Sequence, residues 1–111
     1  MTYIYDAEVD DLLISNKEEN EKVKNNFLFD DFIISVTAAG KIVGLEIRNI
    51  SKFLLECGIS PEILKNLKEV ELGITPKKTF ISIVVSFNIS ENNKIIVKKI
   101  PITHIPVAIT T

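Results

Sequence analysis

Residues 79–90 (TFISIVVSFNIS) place Ile81, Ile83, Val85, Phe87 and Ile89 at every second position. Successive side chains of an extended strand point to opposite faces, so this spacing predicts a long strand with one wholly apolar face. The other face carries Phe80, Ser82, Val84, Ser86 and Asn88 and is half-wet. Such a strand needs paired neighbours and a second layer over its apolar side. Glu91-Asn92-Asn93 tolerates the positive φ of a tight hairpin, which leads into residues 94–100 (KIIVKKI). On the other side Val70, Leu72 and Ile74 alternate with Glu69, Glu71 and Thr75, and Pro76-Lys77-Lys78 closes that strand. Pro101 and Pro106 lack an N–H, which places the tail 102–111 at a sheet edge or off it.

The first half repeats the theme. Residues 2–6 and 12–15 read as a hairpin joined by the polar stretch Ala7-Glu8-Val9-Asp10-Asp11. Residues 16–26 (NKEENEKVKNN) hold one apolar side chain, Val23, and are expected as a loop or a strand edge. Residues 27–29 and 32–37 flank an Asp30-Asp31 turn, and Ala38-Ala39-Gly40 joins the latter to residues 41–48. A three-residue loop ending in glycine suits a hairpin whose last loop residue is left-handed. Gly44 inside the following strand signals a bulge or a close backbone approach.

The period changes after Arg48. Asn49 or Ser51 can cap a helix over residues 52–57 with Phe53, Leu54 and Cys57 on its apolar face and Gly58 to end it. Ser60, Pro61 and Glu62 sign a second helix start, followed by Ile63, Leu64 and Leu67. The expected fold is therefore α+β: a small single domain over residues 1–111, mainly antiparallel β-hairpins, with two short helices in the middle of the chain. Residues 3–52 form the first hairpin half, 53–68 the helices and 69–111 the C-terminal β half.

Composition narrows the class. With 46% hydrophobic and 25% charged residues, the 111-residue chain can build one modest core and is far from the disordered regime. A single cysteine, Cys57, excludes an intramolecular disulfide, so a reducing cytoplasm is the expected compartment. The start Met1-Thr2-Tyr3-Ile4-Tyr5-Asp6 lacks the basic and apolar regions of a signal peptide, and no uncharged stretch reaches the ~20 residues of a spanning helix. Residues 1–60 carry six Lys or Arg against eleven Asp or Glu, and residues 61–111 seven against four, so the halves stand at −5 and +3. Scattered lysines, one arginine and no tryptophan make nucleic acid an unfavoured partner; complementary halves of one globule or of a dimer suit the asymmetry better.

Two motifs in the first half carry a resemblance. Residues 5–14 (YDAEVDDLLI) and residues 42–47 (IVGLEI), the latter followed by Asn49-Ile50-Ser51-Lys52, occur in the order and at about the separation typical of one family. Over about residues 3–52 the chain resembles a prokaryotic family of small proteins filed as the domain of unknown function numbered twenty-two eighty-three. Family members usually carry an acidic run before the second hairpin's glycine, where this chain has residues 35–40 (SVTAAG). The resemblance implies a small β-rich fold with a helix, a homodimer and no established activity. Some members neighbour small toxin-like proteins, which implies an antitoxin or inhibitor role.

The reactive side chains form no convergent set. Asp6, Glu8, Asp10 and Asp11 begin like a calcium loop, but the glycine position holds Asp11 and the closing glutamate position Lys17. A turn with solvated carboxylates is the reading, and neither metal nor cofactor is expected. His104, the lone histidine, sits between two prolines without an orienting partner. Cys57 reads as a buried structural thiol. Ser82 and Ser86 lie on a strand face rather than a nucleophile elbow, and the four glycines make no phosphate loop.

What remains is surface. A long strand whose second face is interrupted by Phe80 and Val84 invites pairing. The expectation is a non-catalytic protein-interaction or regulatory module, antitoxin-like in its narrower form, acting as a homodimer or bound to another small protein, with Phe80 and Val84 at or near the contact. The alternatives are an enzyme working through Asp6, Asp10 or Glu46, which needs a cleft that gathers them, and weak nucleic-acid binding through the basic second half.

Overall fold

The computed structural model describes residues 1–106, with side-chain surroundings through Ile102. The chain forms β1 (Thr2–Asp6), β2 (Asp11–Ser15), β3 (Val23–Phe29), β4 (Phe32–Thr37), β5 (Ile42–Arg48), α1 (Ile50–Glu56), a 3₁₀ turn (Pro61–Lys65), β6 (Leu67–Pro76), β7 (Phe80–Glu91) and β8 (Lys94–Pro106). The strands make two antiparallel sheets, ordered β1-β2-β5-β4-β3 and β6-β7-β8.

Register explains the core. Pairing aligns Tyr5, Leu12, Ile47, Phe32 and Phe29 in one row across the five-stranded sheet and Tyr3, Ile14, Leu45, Ile34 and Phe27 in the next. These rows meet Val70, Leu72, Ile81, Ile83, Val85, Phe87, Ile89, Ile100 and Ile102 of the three-stranded sheet in a single hydrophobic core. Two sheets thus cover each other's apolar face, the arrangement that the period-two pattern demands. The Tyr3 hydroxyl donates to the Leu67 carbonyl at 3.2 Å and ties β1 to the start of β6.

The turns follow their residues. Gly40 sits at φ 85°, and Asn92 and Asn93 at 51° and 63° make the tight β7–β8 hairpin. Gly44 satisfies both readings of a strand glycine. The β4–β5 register slips beside it, leaving the buried Val43 as the extra residue. A Cβ on Gly44 would also lie 3.4 Å from the Ile14 carbonyl oxygen and from Ser35 Cβ.

Three expectations need correction. The second helix is a 3₁₀ turn: Ser60 caps it through Glu62 N–H at 3.3 Å, but Asn66 accepts from Ser90 N–H at 3.1 Å and is held at the mouth of β6, so the chain must extend after one turn. Helix α1 begins at Ile50, with left-handed Asn49 at the cap position and no side-chain bond from it. Cys57 is exposed rather than buried, because the helix ends in a Schellman motif: Gly58 N–H reaches the Leu55 carbonyl at 3.0 Å and Ile59 N–H the Leu54 carbonyl at 2.8 Å. Ile59 thereby takes the packed position at the helix end. Residues 16–26, expected as a loop or a strand edge, supply both: Val23–Asn26 belong to edge strand β3 and the preceding residues are loop, pinned by a Lys41–Glu21 ion pair at 3.1 Å. The tail through Pro106 continues β8 along the sheet edge; residues 107–111 lie outside the described residues.

Candidate functional site

Two open sheet faces point away from the core. On the five-stranded sheet the outward row runs Ile4, Leu13, Glu46, Ile33, Leu28. Ile4 is 66% exposed, Leu13 40% and Leu28 64%. The next row, Thr2, Ser15, Gly44, Ser35, Asn26, is small and polar, so the apolar stripe stands proud of it. Outward positions of a two-layer β fold are ordinarily polar, which makes this stripe the departure that asks for a partner.

The polar groups beside the stripe are poorly satisfied. Asp11 Oδ1 is enclosed without a donor. Glu46 hydrogen-bonds Asp11, and that bond, followed by burial and by the Asp11 charge, lifts the Glu46 carboxyl above the usual carboxylate range while Arg48 pulls it back. Arg48 is the cross-strand neighbour of Asp11, and Asp6 is the neighbour on the other side.

The second face belongs to the three-stranded sheet. Its outward rows are Glu69–Asn88–Val97, Glu71–Ser86–Lys99 and Gly73–Val84–Pro101. Phe80 and Val84 are half-buried on this face, among Ser82, Ser86 and Asn88. Asn88 donates to Glu69 at 3.3 Å.

Of the carboxylates that an enzyme would use, Asp6 and Glu46 both neighbour Asp11, whereas Asp10 is engaged at the start of α1. Asp10 accepts from Tyr5 Oη at 3.3 Å and from Ser51 Oγ at 2.7 Å, and serves the start of α1. Asp6 accepts from Glu8 N–H at 3.0 Å within the β1–β2 turn, whereas Glu46 lies on the outer face. Among the described residues no group of three or more His, Cys, Asp or Glu side chains is placed to hold a metal ion. The side chain of His104 lies outside the described residues. A depression of about 360 Å³ opens between the β3–β4 turn and α1, where Phe32 and Phe53 meet edge to face at 5.3 Å beneath Asp31, Lys52 and Glu56. No helix among the described residues is long and apolar enough to cross a membrane.

Sequence reasoning singled out Phe80 and Val84 and missed the stripe, although a signal was present. Tyr3-Ile4-Tyr5, Leu12-Leu13-Ile14, Phe27-Leu28-Phe29 and Phe32-Ile33-Ile34 are apolar triplets, and the middle residue of each must face away from the core. On β5 the triplet is Leu45-Glu46-Ile47, which puts the acid in the centre of the stripe.

Comparison with protein-family models, with curated proteins and with solved structures found no match to this chain.

Proposed function

We propose that this protein is a non-catalytic interaction module that acts as a homodimer or in complex with another small protein. The carrying observation is the stripe of Ile4, Leu13, Ile33 and Leu28 on the uncovered face of the five-stranded sheet. Removing apolar area from water yields ~25 cal/mol per Å², so covering the stripe is a driving force for association. Specificity comes from Glu46 and Asp11, because any partner that covers them must supply a donor or leave a buried carboxylate unpaired. Sedimentation equilibrium at micromolar concentration tests the reading. Self-association, or a stoichiometric small partner lost on Leu13→Asp, supports it; a monomer with no partner overturns it. The antitoxin-like form of the reading draws on the resemblance over residues 3–52 alone. Its test is whether a small protein encoded beside this one co-purifies with it.

A further inference from the structure

Two adjacent rows on the outer face of the three-stranded sheet are complementary to themselves. Glu71, Ser86 and Lys99 form one row across β6, β7 and β8, and Gly73, Val84 and Pro101 form the next. Strands lie ~4.8 Å apart, so the sheet holds Glu71 and Lys99 roughly 10 Å from each other with Ser86 between them. Both side chains are exposed. Among the described residues neither has an ion-pair partner, so both charges are available to a second molecule.

A two-fold axis lying along β7 exchanges the two edges of this sheet. It sets β6 of one copy over β8 of the other and leaves every row at its own height. Glu71 then faces Lys99 of the second copy, and Lys99 faces Glu71. In the adjacent row Pro101 lies over the side-chain-free Gly73, and Val84 meets Val84 on the axis. Packed sheets sit ~10 Å apart, a gap that Glu and Lys side chains reaching from both sides can close. Twisted sheets stack with strand directions ~30° apart. About Val84, Glu71 and Lys99 lie one strand across and two residues along, so that rotation displaces them by about 4 Å, within the reach of flexible side chains.

We infer that this face is a homodimer contact in which two copies stack across β7, paired by reciprocal Glu71–Lys99 bridges around Val84. The inference rests on the self-association reading above and assigns the contact to the three-stranded sheet. Opposite charges on opposite edges of one sheet fit a second copy of this chain better than a partner of uniform charge. The stripe on the other sheet is then left for a different occupant.

A charge swap tests it with the full chain by sedimentation equilibrium. Glu71→Lys and Lys99→Glu each replace two attractive contacts per dimer with two repulsive ones, and each is expected to weaken dimerisation at least tenfold. The double variant Glu71→Lys/Lys99→Glu restores both bridges and should return within about threefold of the starting constant, with circular dichroism unchanged throughout. A wild-type dimer that ignores the single substitutions, or a double variant no better than the singles, overturns this contact and leaves the interaction-module reading standing. A dimer lost on Leu13→Asp and untouched by the charge swap overturns it too, by moving the contact to the five-stranded sheet. Wild-type protein that stays monomeric overturns the self-association reading and this inference together.

Discussion

The carboxylate of Asp10 accepts two hydrogen bonds from Ser51: Oδ1 from the hydroxyl at 2.7 Å and Oδ2 from the backbone N–H at 3.1 Å. The Asp10 carbonyl accepts a third bond from Ile50 N–H at 3.1 Å. Helix α1 is therefore capped from 41 residues away by the turn between β1 and β2. Asn49, at the cap position, is left-handed at φ 55° and contributes no side-chain bond. Residues 5–14 and Asn49-Ile50-Ser51-Lys52, far apart in the chain, are thus joined by hydrogen bonds into one piece of structure that fixes the start of α1.

Replacing Asp10 by alanine should cost about 1–2 kcal/mol, the scale of a lost helix cap. The residue also sits at φ 55°, so Asp10→Asn, which tolerates that conformation and keeps one acceptor, should lose less. Urea unfolding of both variants checks the order.

Glu46 makes stability depend on pH. Its folded carboxyl is held above the ordinary range, first by the bond to Asp11, then by burial and the Asp11 charge. A raised folded pKa means a proton bound more tightly in the native state. That stabilisation is complete below the unfolded value and fades as pH rises through the folded one. Glu46→Gln should therefore be more stable than wild type at pH 7, with the gap closing toward pH 4. Denaturation midpoints at the two pH values decide it, and Asp11→Asn should shrink the same gap.

Cys57 is open to reagent in the folded protein. Burial, followed by the neighbouring Glu56 charge, pushes its thiol upward, so the thiolate is scarce at neutral pH. One thiol per chain should react with a disulfide reagent without denaturant, more slowly than free cysteine at pH 7. The rate should climb over a pH range above that of free cysteine. Protection until unfolding would contradict the exposed position.

The β7–β8 turn holds both asparagines at positive φ. Glycine has no Cβ penalty there but costs more chain entropy, and Asn-Gly is the favoured pair for this turn. Asn93→Gly should stabilise the protein by about 0.5 kcal/mol, read as a higher urea midpoint with an unchanged slope.

Much of this was legible before folding. Ile81 through Ile89 announced a strand with one buried face, and all five side chains are in the core. Gly40 and the Asn92-Asn93 pair marked turns, because few residues accept positive φ, and Gly44 marked a place where neighbouring strands leave little room for a Cβ. The exposed Cys57 was not legible: helical spacing puts it on the apolar side, but the Schellman closure at Gly58 swings Ile59 into that position. The 3₁₀ turn had the right cap and the right proline, but it was cut short by Asn66, whose anchor to Ser90 is 24 residues distant.

Local chemistry determined which segments are strands, which side of each is apolar and where the chain makes its tight turns, because those properties depend on side-chain alternation and on the φ angles that single residues tolerate; the ends of β3 and β6 it left open. Tertiary structure decided which strands neighbour one another, and with that everything about the surface. Only after β5 is inserted between β2 and β4 do Ile4, Leu13, Glu46, Ile33 and Leu28 become one row. Likewise, Glu71 and Lys99 become opposite ends of another row only once β7 pairs with both β6 and β8. Rows across a sheet are made by register between distant segments, a quantity that no local window of the chain contains.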